Sequence, residues 1–175
     1  GVASFPFLAS LAAKEAWSEF DGTLGTALRS SMIVVVPMTA WLLLVSPDVL
    51  GFIFEGGHFS AEQTMQAAPL LRLMLPAVPF WALQQVTGRA FYARQDTVTP
   101  AVVGTLATLA ALPAYIWLLP ALGVASAMGV ACVASSSIVL YAAALMFVAG
   151  RRWGRAAFDG VGKTALRSIA LSLPG

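Results

Sequence analysis

The chain has 175 residues, 59% hydrophobic and 10% charged, with ten Lys or Arg against eight Asp or Glu and a formal net charge of +2. Soluble domains sit nearer about 45–50% apolar and about 25% charged, so the composition excludes an ordinary water-soluble domain and places the chain among membrane proteins. The small net charge gives no basis for a nucleic-acid partner, and one cysteine, Cys132, cannot form an intrachain disulfide.

Residues 2–13 are apolar and too short to span a bilayer, and read as the end of a helix. Ser18-Glu19-Phe20-Asp21 has the pattern of a capping box, so the first full span is expected over residues 18–46. Pro37 lies inside it, a kink that neighbouring helices can satisfy in lipid. Ser46-Pro47 either ends this span or caps a short interfacial helix through Phe54. After the turn Glu55-Gly56-Gly57-His58, Ser60-Ala61-Glu62-Gln63 offers a second capping box for a helix over residues 60–92 that carries Arg72, Pro76 and Pro79. Residues 97–150 then contain no Asp, Glu, Lys or Arg. A span needs about 20 apolar residues to cross a core of about 30 Å, so this stretch predicts two more, 98–119 and 124–149, joined at Pro120-Ala121-Leu122-Gly123. Thr99-Pro100 reads as an N-cap followed by Pro at the first helical position. Arg151, Arg152 and Arg155 follow the last span, with Trp153 at the expected interface. Residues 158–167 form an amphipathic lead-in to a further helix. The fold class is therefore all-α: a partial polytopic helical bundle of about four full spans with partial helices at both ends, in one membrane domain over residues 1–175. Both ends look cut, as in an internal piece of a longer protein.

Each span reverses the chain, so its connections alternate between sides. Lys14, Arg29, Arg89, Arg94, Arg151, Arg152, Arg155, Lys163 and Arg167 fall on one side, while Asp48, Glu55, His58 and Glu62 fall on the other with no Lys or Arg. The positive-inside rule makes the basic side cytoplasmic.

No nucleophile–base pair, phosphate-cradling loop or Cys/His cluster stands out, so no catalytic residue, metal or cofactor is expected. His58 and the aromatics Trp41, Phe80, Trp81 and Trp117 read as loop, packing or lipid-facing residues, and Cys132 as a small buried hydrophobe. Glu62 and Gln63 suit capping and dipole compensation. Ser135-Ser136-Ser137 suits close helix packing. Arg72 is the one basic residue outside the cytoplasmic connections, about 18 Å into its helix at 1.5 Å per residue. A charge at membrane depth is costly and normally faces protein or a wet cavity. Arg72 either contacts an anionic substrate there or snorkels to the outer headgroups.

Several strings in order carry a resemblance. They are Phe5-Pro6-Phe7-Leu8 with Leu11-Ala12-Ala13; Phe20 with Leu24 and Leu28-Arg29; Phe54-Glu55-Gly56-Gly57-His58-Phe59 with Ser60-Ala61-Glu62; Phe91-Tyr92-Ala93-Arg94-Gln95-Asp96-Thr97-Val98-Thr99-Pro100; and Pro120-Ala121-Leu122-Gly123. Together they resemble the MurJ (MviN) family of lipid II flippases, within the superfamily that includes MATE exporters and polysaccharide flippases. The strings from Phe54 to Phe59 and from Phe91 to Pro100 are the structural motif residues of the resemblance.

The resemblance implies a fourteen-helix, two-lobed bacterial inner-membrane protein. This chain would supply the end of helix eight, helices nine to twelve and the approach to thirteen. It also implies an activity: moving the undecaprenyl-linked peptidoglycan precursor across the membrane by alternating access, without bond chemistry. Its partners would be that lipid-linked precursor, membrane lipids and the remaining helices of the parent protein. Arg72 matches a basic position of the family's helix ten and is the candidate substrate-binding residue. The stretch Ala110-Ala111-Leu112-Pro113-Ala114-Tyr115 departs from the family, which often carries Asn or Asp there. A related exporter of oligosaccharide-lipid or drugs, or a transport-dead scaffold, are the alternative readings.

Overall fold

In the computed structural model, residues 4–55, 60–121 and 127–172 are described, and among them every regular element is helical. Helix α1 is Ser4–Ala13 and α2 is Trp17–Phe54. Helix α3, Ala61–Met74, meets α4, Val78–Ala93, through a 3₁₀ turn at Leu75–Ala77. Helix α5, Val98–Pro113, passes into a π-helical segment, Ala114–Leu118, and ends in the short α6, Leu119–Ala121. Helix α7 is Ala127–Trp153, and a 3₁₀ turn at Ala156–Phe158 leads to α8, Val161–Ser172.

The core follows from the period of α2. Phe20, Leu24, Leu28, Met32 and Val36 recur every fourth residue on one face and are buried. They meet Leu8 and Leu11 of α1, Leu83, Val86 and Ala90 of α4, Ala157 of the 3₁₀ turn and Val161 of α8. Many large hydrophobics lie on the surface: Phe52 is 92% exposed and Trp117 71%. Such large exposed hydrophobics belong against lipid or further helices rather than water. Trp41, Phe80 and Trp81 are exposed as well.

Among the described residues, three helical stretches are long and apolar enough to cross a membrane: Trp17–Phe54, Val98–Ala121 with its π-segment, and Ala127–Trp153. The stretch expected as one span over 60–92 is instead two helices of 14 and 16 residues. Pro76 has no N–H for the Arg72 carbonyl, and Val78 N–H turns to Leu75 O, three residues back. Two prolines fail to end α2: it runs through Pro37 and Pro47 to Phe54.

Two expected caps are corrected. Ser18 caps nothing, because α2 begins at Trp17 with Ala16 before it. The chain arrives there by a tight reversal: Glu15 is left-handed (φ 54), Ala16 N–H reaches Leu11 O at 3.0 Å and Glu15 N–H reaches Ala12 O at 3.1 Å. This pair of bonds satisfies the last carbonyls of α1. Thr99 is not an N-cap either; it lies inside the first turn of α5, and Pro100 is the third residue of that helix rather than the first. The Ser60–Gln63 capping box is present: Gln63 N–H donates to Ser60 Oγ at 3.3 Å and Ser60 N–H to Gln63 Oε1 at 2.9 Å. Cys132 is exposed on α7 rather than buried, since the packed face of that helix runs through Ala131, Ala142, Leu145 and Ala149.

Candidate functional site

The residues singled out in the sequence fall at two levels of the bundle. The first is the end where the basic connections gather. The motif Phe91 to Pro100 repeats the reversal seen after α1. Gln95 is left-handed (φ 61), Asp96 N–H donates to Phe91 O at 3.0 Å and Gln95 N–H to Tyr92 O at 3.0 Å. Asp96 then opens α5. Its Oδ1 accepts the Thr99 N–H at 2.9 Å and its Oδ2 the Thr99 hydroxyl at 2.6 Å. Asp displaces Thr as the cap because its two carboxylate oxygens can take both donors at once. Arg152 adds Nη1 to Asp96 Oδ2 at 2.8 Å and to Thr99 Oγ1 at 2.9 Å. The Thr99 hydroxyl and N–H, and then Arg152, hold the Asp96 carboxyl below the usual carboxylate range.

Phe91 is fully buried and its ring centroid lies 4.4 Å from that of Trp153 with the planes tilted by 49°, while Tyr92 is exposed. Sequence reading missed the group beside them. The Arg94 guanidinium carbon lies 4.5 Å from the Trp17 and Phe20 rings and 4.3 Å from the Trp153 ring. Arg94 Nη2 pairs with Asp21 Oδ1 at 3.2 Å, and its Nε is buried without a partner. Burial lowers the Arg94 pKa from its ordinary value and Asp21 acts against that. Trp153, expected as an interface anchor, is part of this packing. One guanidinium thus ties together the α1–α2 reversal, the α4–α5 reversal and the end of α7. The signal available in the sequence was an acid and two aromatics at the start of one span facing a lone Arg at the end of another, all on the basic side.

Arg29 extends the same end. Its Nη1 donates to Asp159 O at 3.3 Å. Below it, a Cβ on Gly25 would meet Ala157 O at 2.9 Å, so the 156–158 turn can seat on α2 only over a glycine. The contacts Arg94–Asp21, Arg152–Asp96 and Arg29–Asp159 therefore bring three connections, read as one side from charge alone, to one end of the bundle.

Arg72 occupies the second level. Its Nε donates to Ser46 Oγ at 2.8 Å and to Leu43 O at 3.2 Å. The Leu43 carbonyl is the one that Pro47 leaves without an α-helical donor. Among the described residues, the two outer guanidinium nitrogens have no hydrogen bond or acidic partner, and the residue is exposed. Ser46 lies about 26 Å along α2 from Arg29 at 1.5 Å per residue, close to the far boundary of a core about 30 Å thick. On the other flank, Ser135 Oγ of α7 donates to Leu73 O at 3.1 Å. Ser136 and Ser137 bond back to Cys132 O and Val133 O in their own helix.

Phe54 ends α2 and is exposed, and Glu55 follows it as the C-cap, its N–H on Gly51 O at 2.9 Å. Gly56, Gly57, His58 and Phe59 lie outside the described residues. The structure therefore unites Phe91, Asp96, Thr99 and Pro100 at the basic end, and leaves Arg72 apart from them.

The family profile described as "Lipid II flippase MurJ" matches residues 1–175, the whole chain. Curated relatives are similar over shorter stretches. The lipid II flippase MurJ of Thermosipho africanus is 24% identical over 51% of this chain and 19% of its own length. The probable lipid II flippase MurJ of Aquifex aeolicus is 29% identical over 66% of this chain and 23% of its own. A solved structure titled "Lipid II flippase MurJ, inward closed conformation" superposes with a TM-score of 0.75 at 20% identity, over 94% of this chain and 34% of that one. This last likeness speaks for the fold. The chain thus spans about a fifth of the curated relatives it matches, and it belongs to the lipid II flippase MurJ family.

Proposed function

We propose that this chain is part of a lipid II flippase of the bacterial cytoplasmic membrane, a transporter rather than an enzyme. It would move the undecaprenyl-linked peptidoglycan precursor from the inner to the outer leaflet. The observation that carries the reading is the family match over the whole chain, on a helical fold with three membrane-length apolar helices. Within the parent protein the helices from α1 to α8 correspond to the end of helix eight through the approach to helix thirteen. The span 18–46 is then helix nine, 60–92 the broken helix ten, 98–119 helix eleven and 124–149 helix twelve.

The side chains of this piece support a binding and positioning role. Alternating access needs two lobes rocking about a shared site, and the ion pair, stacked rings and helix caps at the basic end make that end of one lobe stiff. The basic connections would face the cytoplasm, by the positive-inside rule. Arg72 offers two guanidinium nitrogens, unengaged among the described residues, to an anionic group near the far boundary, the chemistry expected for a diphosphate-linked cargo.

The test is complementation by the full-length parent in cells depleted of their own flippase. The parent should restore growth and lipid II translocation. Arg72→Ala should weaken both, with Arg72→Lys intermediate because a point charge survives. A parent that restores neither contradicts the flippase reading. If both variants match the parent, only the Arg72 assignment falls.

A further inference from the structure

The two ends of this bundle are built differently. At the basic end, both helix reversals are closed by paired backbone bonds, and Arg94 is wedged among three rings with Asp21. Toward the other end the helices are less regular: Pro37 and Pro47 lie inside α2 and Pro69 inside α3 without ending them, the 3₁₀ turn Leu75–Ala77 separates α3 from α4, and the π-segment Ala114–Leu118 follows Pro113. Helix α3 lies wholly beyond the Leu75–Ala77 break. Two polar clips hold its last turn. Arg72 Nε reaches α2 at Ser46 and at the Leu43 carbonyl, and Ser135 of α7 reaches the Leu73 carbonyl. Both carbonyls sit at positions where a proline or the tightened turn disturbs the helical ladder. In a hydrocarbon setting such groups must find a partner within the protein.

We propose that α3 is an arm hinged at Leu75–Ala77, latched in the conformation seen here by the Arg72 and Ser135 clips, while α4 is fixed below the hinge by the Arg94 group. The break supplies the bend, because Pro76 removes the bond that would make α3 and α4 one rod. The clips supply the two-state character, since each is one side chain making one or two polar contacts between helices that can be exchanged for water or another partner when the arm swings. Interhelical hydrogen bonds in membranes are weak enough for reversible release, roughly three- to fifteen-fold in population each. The inference concerns geometry and does not depend on which cargo is moved.

Spin labels in the full-length protein, reconstituted in liposomes, test it. One pair joins Met65 on α3 with Met128 on α7, both exposed. A reference pair joins Tyr92 with Arg151 at the basic end. Double electron–electron resonance should show a second, longer Met65–Met128 distance whose population rises roughly three- to fifteen-fold in Ser135→Ala. It should stay unchanged in Ser135→Thr, which keeps the hydroxyl, while the reference distance holds throughout. Pro76→Ala should suppress the second distance by restoring the missing N–H. A single Met65–Met128 distance that persists in the Ser135→Ala/Arg72→Ala double variant overturns the hinge. So does a reference pair that broadens in step, since the clips would then hold the whole bundle. Because the labels report without cargo, failure here leaves the flippase reading standing, and failure of transport leaves the hinge standing.

Discussion

Asp96 does two jobs, and their magnitudes differ enough to be separated. As the cap of α5 it takes the Thr99 N–H and hydroxyl at 2.9 and 2.6 Å; as an ion-pair partner it takes Arg152 at 2.8 Å, with side chains 26% and 54% exposed respectively. Removing a helix cap costs about 0.5–2 kcal/mol, while a pair this exposed contributes about 0–1 kcal/mol. Asp96→Ala should therefore destabilise the full-length protein by about 0.5–3 kcal/mol, the two ranges combined. Arg152→Ala should cost under about 1 kcal/mol. Asp96→Asn keeps an oxygen for the Thr99 N–H and should lose only the smaller part. Thermal unfolding in bicelles, read by tryptophan fluorescence, gives the three differences. The pH dependence has a definite sign. The Asp96 carboxyl titrates below the usual range in the folded protein, so its contribution is present above the unfolded pKa and disappears as pH falls through the lower folded value. Equal losses for Arg152→Ala and Asp96→Ala, or an Asp96→Asn as unstable as Asp96→Ala, would refute the cap as the larger of the two contributions.

Gly25→Val should lower the unfolding midpoint by an amount equivalent to about 1–3 kcal/mol, because its Cβ meets the Ala157 carbonyl at 2.9 Å; Gly22→Ala, with nothing within 4 Å, serves as the unaffected control in the same melt. Phe91→Ala should cost about 3–5 kcal/mol and should quench Trp153 differently in the fluorescence spectrum, as the rings are 4.4 Å apart. Arg94→Lys should not restore the stability lost in Arg94→Ala, since a compact ammonium cannot keep contact with three rings and Asp21 as the broader guanidinium does; full restoration would contradict this packing account. Cysteines placed singly at Glu62 and Gln95, with Cys132 removed, should be labelled by an impermeant thiol reagent on spheroplasts at Glu62 only; the reverse pattern inverts the topology.

The class of fold was legible because lipid imposes one rule: a long apolar run without charge must be a helix. The presence of α2 and α7 as long apolar helices and the gathering of basic residues follow from that rule and from the charges. What escaped was decided by tertiary contact. Pro76 and Pro79 look alike in sequence to Pro37 and Pro47, yet only the first two accompany a break; at Pro47 the Leu43 carbonyl finds donors in Arg72 and Ser46 instead. Thr99 resembles a cap because Thr-Pro is a common start, but the reversal at Gln95 delivers Asp96 to that place first. Spacing leaves Arg72 between cavity and headgroups; its Nε in fact goes to the backbone of α2, a partner that no pattern in the sequence announces. The Arg94 group joins residues from three separate connections, so no local pattern could assemble it.

The reading of this chain as one part of a two-lobed flippase meets its most direct test in purified protein. The full-length parent and residues 1–175 alone are reconstituted separately in liposomes with labelled lipid II on one leaflet, and the fraction reachable by an impermeant reagent on the other is followed with time. The full-length protein should move lipid II across the bilayer, and the isolated chain, lacking a facing lobe, should leave it where it started. Translocation by residues 1–175 alone, or none by the full-length protein, would contradict it.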